Sequence, residues 1–159
     1  MLTFAFSVFG VRIYKGIILK QNVTGYLKRA ADANTIDLAS QELSKALNYL
    51  EANNITSGYT SILYRTPDDD VEFWYQNLKA SHLELGKLTE SGQLERTNVL
   101  LKLRETLVDS DKKTKVTGPN GLSVFPNNKL WGVLMSLAVF ALFAGFILLG
   151  IKLEHGSKK

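Results

Sequence analysis

The densest group of side chains that could do chemistry is acidic: three consecutive aspartates, residues 68–70, are followed by Glu72. Carboxylate oxygens are the ligands that hard divalent cations prefer, so a cation could bind there in principle. The spacing does not fit a calcium-binding loop, and no glycine supplies the turn of one. Thr66 and Pro67 precede the aspartates, and this order of residues is typical of a helix start. We therefore interpret the cluster as a charged helix N-terminus and predict no metal site.

The remaining residue types with catalytic potential are sparse. The chain has no cysteine and two histidines, His82 and His155, and neither has a partner at metal-ligand spacing. Catalytic serine motifs, phosphate loops and dinucleotide fingerprints are missing from the sequence. We expect His82, which falls on an apolar helix face, to be hydrogen-bonded at the edge of the core. The sequence therefore predicts a protein that is not an enzyme and holds no cofactor.

Three consecutive aromatic residues, Phe73, Trp74 and Tyr75, follow the acidic cluster. On a helix they spread over about 200° of its circumference, more than one core-facing stripe holds easily. At least one ring is then partly exposed, and exposed aromatic rings are favoured at partner surfaces. The alternative is that all three pack under the connection 59–65. We predict a candidate partner surface at these three residues.

The clearest structural element in the sequence is a membrane anchor near the C-terminus, which would hold such a surface close to a bilayer. Residues 130–151 are twenty-two positions without a charge, a proline or an amide side chain. As a helix they measure about 33 Å, which matches a hydrocarbon core of about 30 Å. Lys129 and Lys152 bracket the run, and Trp131 lies at one end, where aromatic belt residues concentrate. The sequence predicts a transmembrane helix here, followed by a short basic tail, 152–159.

Small residues recur at four-residue spacing inside this helix. Gly132 and Ser136 form one pair, and Ala141 and Gly145 form another. Small side chains at that spacing let two membrane helices approach closely. These four positions are candidates for helix–helix packing in the membrane, and they leave homo-oligomerisation through this helix open.

A second apolar segment, 1–19, begins the chain, interrupted by Arg12 and Lys15. Residues 1–11 alone span only about 16 Å, and the longer run crosses a bilayer only if both basic heads reach the headgroups. We predict an N-terminal membrane segment and leave open whether it spans or lies flat. Basic residues follow this segment and none precedes it, which places the middle domain in the cytoplasm by the positive-inside tendency.

Between the membrane segments, residues 20–110 show helical periodicity nearly throughout. Apolar stripes predict a continuation of the first helix, then helices starting near Asn34, Thr66 and Ser91. The second helix is expected to keep Glu42 on its solvent face. The apolar face of the fourth is expected to carry Leu94, Leu101 and Val108, with Leu100, Leu103 and Leu107 alongside. Residues 111–129 are interpreted as a polar linker. The fold class is therefore mainly α: a small antiparallel helical bundle with a C-terminal transmembrane helix and an N-terminal membrane segment.

Composition limits the partners. The formal net charge of +4 lacks the dense basic stripe of a nucleic-acid-binding protein, so we expect no nucleic acid partner. The partners expected are the lipid bilayer and other membrane or membrane-associated proteins. Our first hypothesis is a non-enzymatic, membrane-anchored interaction or scaffold protein, such as an accessory subunit of a larger membrane complex. The alternative is a sensor or small-ligand-binding bundle that lies outside the cytoplasm between two membrane helices.

Overall fold

A computed structural model describes residues 1–61, 65–87, 92–109, 115–125 and 129–156. The mainly helical fold class is confirmed, since 78% of the described residues are helical. Two compact units are present: Ile17–Asn127, and a second made of Met1–Gly16 with Asn128–Lys159. The elements in chain order are α1 Leu2–Leu19, α2 Gly25–Ala31, α3 Ile36–Ala52, α4 Val71–Lys87, α5 Gln93–Leu107, β1 Val108–Asp109, β2 Lys115–Val116 and α6 Lys129–Gly156.

The first helix continues past the apolar segment, as its stripe predicts. A π-helical turn, Lys20–Thr24, joins α1 to α2, so that one continuous helix covers Leu2–Ala31. The Gly25 amide donates to the Lys20 carbonyl across this turn, which is the wider bond that defines it. Val23, inside the turn, is buried in the bundle core.

The bundle core lies between α2, α3, α4 and α5. Helix α3 packs against α2 and α4, and α5 packs against α2 and α3. The apolar spacing of α3 turns Leu43, Leu47 and Leu50 inward, and they meet Leu27 and Leu78 from its neighbours. Complete burial of several leucines stabilises such a core by about 1.5–3 kcal/mol each.

Helix starts differ from the sequence interpretation by one to five residues. Thr35, not Asn34, caps α3, because its hydroxyl accepts the Leu38 amide at 3.3 Å. The Thr66-Pro67 signal opens only a 3₁₀ turn that ends at Asp69, and α4 begins after it. The predicted start at Ser91 and part of the connection 59–65, residues 62–64, lie outside the described residues.

Two packing predictions are wrong. Leu94 and Leu101 are exposed, whereas Val108 of the same predicted face, and Leu103 and Leu107 alongside it, are buried, so the buried face of α5 is rotated towards these last residues. Glu42 is buried rather than solvated. Its carboxylate meets two cations: Arg29 Nε lies 3.0 Å from Oε2, and Lys45 Nζ lies 2.8 Å from Oε1. Pairing offsets the cost of removing a charge from water, which is why the acidic residue is tolerated there.

The described part of the predicted linker packs on the bundle. Strands β1 and β2 pair antiparallel, with Val108 opposite Val116. A segment that we call the strap, residues 115–125, begins with β2, and its Val116, Leu122 and Val124 pack against the core. A turn inside it requires Gly121, whose φ of +75° is strained for other residues. Residues 110–114 and 126–128 of this region lie outside the described residues.

In the other unit, α1 and α6 are each long and apolar enough to cross a membrane. They pack through a small cluster in which Ala5 and Val8 meet Ala138 and Ala141. The remaining faces expose large apolar side chains; only 17% of the α6 span is buried. A helix at the centre of a soluble core would be buried over most of its length.

Candidate functional site

The three consecutive aromatic residues lie in three different environments on the first turns of α4. Phe73 is 67% exposed, Trp74 is half-buried, and Tyr75 is 5% exposed. The helical rotation per residue produces this spread. Phe73 is therefore the exposed ring of the three, whereas Tyr75 belongs to the core and is not accessible to a partner.

The backbone before α4 is fixed by the acidic residues. Asp70 caps the helix, because its Oδ1 accepts the amides of Glu72 at 2.9 Å and of Phe73 at 3.1 Å. Asp69 accepts the hydroxyls of Thr66 at 2.6 Å and Thr60 at 3.0 Å. The pKa of Asp69 is lowered, mainly by the Thr66 hydrogen bond and further by that of Thr60, although some desolvation opposes the shift. These bonds hold the start of α4 in one place.

A further contact anchors the same backbone. The Val71 amide donates to the Gly58 carbonyl at 2.9 Å, and the Thr60 amide donates to the Asp69 carbonyl at 3.0 Å. These bonds flank a bridge between Tyr59 and Asp70. The chain after α3 thus pairs briefly with the chain before α4, which leaves the exposed aromatic ring little freedom to move with its backbone.

Trp74 joins α4 to the strap. Its indole Nε1 donates to the Thr117 carbonyl at 3.1 Å. A Cβ on Gly118 would lie 3.5–3.7 Å from the indole ring, so the strap backbone passes directly over this side chain. The strap is also tied to α5, since the Thr117 amide donates to the Leu107 carbonyl at 2.8 Å and its hydroxyl donates to the Thr106 carbonyl at 2.5 Å.

A groove of about 360 Å³ lies between these elements. It is lined by Phe73, Trp74, Asn77 and Leu78 of α4, by Thr106 of α5 and by strap residues 117–119. Pro67, Asp68 and Asp70, from the segment before α4, complete the lining, and we call this part its acidic end. We call the whole space the Phe73 groove. It combines two aromatic rings with a few polar groups, the composition usual for binding surfaces.

Tyr75 shows why its position is structural. Its hydroxyl donates to Glu51 Oε1 at 2.5 Å and ties α4 to the end of α3. This hydrogen bond to Glu51, with smaller contributions from burial and from the charge of the carboxylate, raises the pKa of Tyr75 to about 12. The tyrosine is therefore protonated and serves as a donor at neutral pH.

The other groups considered for chemistry are dispersed. His82 Nε2 lies 3.3 Å from the Ser40 hydroxyl, and the ring is half-buried at the edge of the core. His155 is exposed. Across the described ranges, no three histidine or acidic side chains are grouped so as to hold a metal ion. The carboxylate of Asp70 acts instead as a helix cap, and that of Asp69 accepts from two threonines.

The four small residues of α6 divide into two pairs. Ala141 and Gly145 face α1: a Cβ on Gly145 would lie 2.7 Å from the Leu2 side chain. Gly132 is half-buried and Ser136 is exposed, and the Ser136 hydroxyl donates to the Gly132 carbonyl within the helix. The second pair therefore packs against α1.

One part of the site and one ion pair outside it were not anticipated from the sequence. The strap wall at residues 117–119 was assigned to a polar linker, although the apolar positions Val116, Leu122 and Val124 could have revealed that it packs. The Arg29–Glu42 ion pair joins two different helices, so spacing along the chain gave no signal for it, whereas Lys45 follows Glu42 by three positions on α3, a spacing at which side chains of one helix meet. No protein-family model, curated protein or solved structure matches the chain.

Proposed function

We propose that the protein is a non-enzymatic, membrane-anchored helical domain that binds another protein through the Phe73 groove, as an accessory or scaffold subunit of a membrane complex. The observation that carries the proposal is the exposure of Phe73 beside the groove. A large aromatic ring that is 67% exposed, on a backbone held by Asp70, costs little entropy to bind and has much apolar area to bury.

The membrane anchor in this proposal consists of α1 and α6. Large apolar side chains cover their outward faces, including Phe6, Phe140 and Phe143, and water would hydrate that surface at a high cost. A bilayer removes the cost, because its hydrocarbon interior is as apolar as the side chains. By the positive-inside tendency the bundle faces the cytoplasm, since the basic residues Arg12 and Lys15 follow the first apolar stretch.

The experiment compares one substitution on the groove with one elsewhere on the same helix. Phe73→Ser removes the exposed ring, whereas Leu83→Ser removes another exposed apolar side chain, 58% exposed, that does not line the groove. We expect a protein that co-purifies with the wild type in mild detergent to be lost from Phe73→Ser and retained by Leu83→Ser, with equal helicity by circular dichroism. Equal recovery from both variants would refute the proposal.

A further inference from the structure

We infer that the occupant of the Phe73 groove is a protein segment in which a bulky apolar side chain is flanked by lysine or arginine. The inference rests on the proposed function and names the chemistry of the partner. Two features of the groove carry it, its open aromatic interior and its acidic end.

The interior selects for an apolar side chain. The rings of Phe73 and Trp74 and the side chain of Leu78 line a space of about 360 Å³, near the lower limit of about 300–1,000 Å³ for small-molecule sites. Because Phe73 is largely exposed, the space is bordered by an apolar rim that a small molecule inside would leave in water. A side chain projecting from a longer segment fills the groove and covers the rim together.

The polar groups around the interior suit a peptide backbone. Asn77 offers an amide with both donors and an acceptor. The hydroxyls of Thr106 and Thr117, which line the same groove, donate to backbone carbonyls and keep an oxygen that can accept. Groups of this kind can pair with the amides and carbonyls beside an inserted side chain, which would otherwise lose their water. An aliphatic lipid chain has no donors or acceptors that could pair with these groups.

The acidic end selects for a positive charge. Four carboxylates fall within five positions, 68–72, and Asp68 and Asp70 line the groove itself. No ion pair with another described residue engages Asp68, Asp70 or Glu72. Lys115, the basic residue of the strap, lines a separate smaller cavity that Trp74 also borders. The negative potential therefore attracts a cationic segment and repels anionic headgroups and nucleic acid.

The test uses three fluorescent synthetic peptides of equal length: basic with two central leucines, acidic with the same leucines, and basic with serines in their place. Binding to the full chain in uncharged detergent is followed by fluorescence anisotropy. We expect the basic leucine peptide to bind, with an affinity that falls as salt is raised. The acidic and the serine peptides should each bind at least tenfold more weakly, because each lacks one of the two complementary features.

Variants connect the binding to the groove. Phe73→Ser should weaken the basic leucine peptide about tenfold or more, as truncation of a central aromatic contact usually does. Asp68→Asn should weaken it by about threefold, as expected for one exposed charge pair, while Asp37→Asn, a matched change on α3 away from the groove, should have no effect.

Each contrary outcome has a defined meaning. Equal binding of the basic and acidic peptides, or of the leucine and serine peptides, overturns the inference. It is also overturned if no peptide binds or if Asp68→Asn has no effect. Phe73-dependent co-purification of a protein partner would survive all of these results, so the proposed function stands or falls separately.

Discussion

Trp74→Phe tests the proposed structural role of the strap as a wall of the groove. The substitution keeps an aromatic ring and removes the indole N–H, which donates to the Thr117 carbonyl at 3.1 Å. A hydrogen bond of this kind contributes about 1 kcal/mol net. The smaller ring also buries roughly 50 Å² less apolar area, which for a half-buried side chain costs about 0.5 kcal/mol. The expected loss is about 1.5 kcal/mol, confined to the contact between α4 and the strap.

Hydrogen exchange locates this loss along the chain. An opening free energy that falls by about 1.4 kcal/mol makes exchange about tenfold faster where local opening controls it. In the full chain in mild detergent, we expect about tenfold faster exchange in peptides that cover residues 115–122, including the Thr117 amide bonded to the Leu107 carbonyl. Peptides from α3, which is hydrogen-bonded to α4 through Glu51 and Tyr75 and not through the indole N–H, should exchange at the wild-type rate.

The control is Gly118→Ala, which adds a methyl group against the same ring. The new Cβ would lie at ordinary contact distance, 3.5–3.7 Å from the indole. Exchange in the strap should therefore stay the same or slow down. Unchanged exchange in the strap of Trp74→Phe would contradict a role for the indole N–H in holding this segment. Equally accelerated exchange in α3 and the strap would show that the indole stabilises the whole bundle rather than the strap.

Three further predictions concern other parts of the chain. The pKa of Tyr75 is raised to about 12 from its ordinary value near 10, so the tyrosine loses its proton at lower pH in the unfolded chain than in the folded one. The stability that its hydrogen bond contributes is therefore fully present below pH 10 and is lost as the pH rises towards 12. The difference in melting temperature between wild type and Tyr75→Phe should shrink over that window. Gly145→Ala adds a methyl group that would clash with Leu2, so it should destabilise the α1–α6 pair by about 1–3 kcal/mol in a denaturing-detergent titration. Leu2→Ala in the same chain should restore most of the lost stability. A double-mutant cycle that finds no coupling between the two positions would contradict the contact. Ser57→Cys introduces a single cysteine at an exposed position of this cysteine-free chain. If the bundle faces the cytoplasm, this cysteine should resist an impermeant thiol reagent in intact cells and react after lysis. Labelling before lysis would contradict the cytoplasmic orientation.

Most of the helical fold could be predicted from periodicity, and the errors have physical causes. In α3 and α6 the apolar residues form a stripe or a continuous run, so their helices were identified to within about a turn. In α5, Leu94, Leu100, Leu101, Leu103 and Leu107 cover more of the circumference than one face, and the choice of buried face depends on α2 and α3. Such a choice requires the positions of the neighbouring helices, which periodicity within one segment does not supply.

The candidate surface divides in the same way between local and long-range causes. The spread of three consecutive aromatic residues follows from helical geometry alone. It favoured an exposed ring, with packing of all three under the connection 59–65 as the alternative, and Phe73 is the exposed one. Which ring is exposed depends on contacts across the chain: Tyr75 is drawn inward towards Glu51, 24 positions earlier, and Trp74 is held by Thr117, 43 positions later. Phe73 is left outside because both neighbours are engaged. The groove forms where α4 meets the strap, and the composition of the strap resembles that of a linker. The spacing of the aromatic residues therefore predicts the α4 side of the groove but not the side formed by residues 117–119.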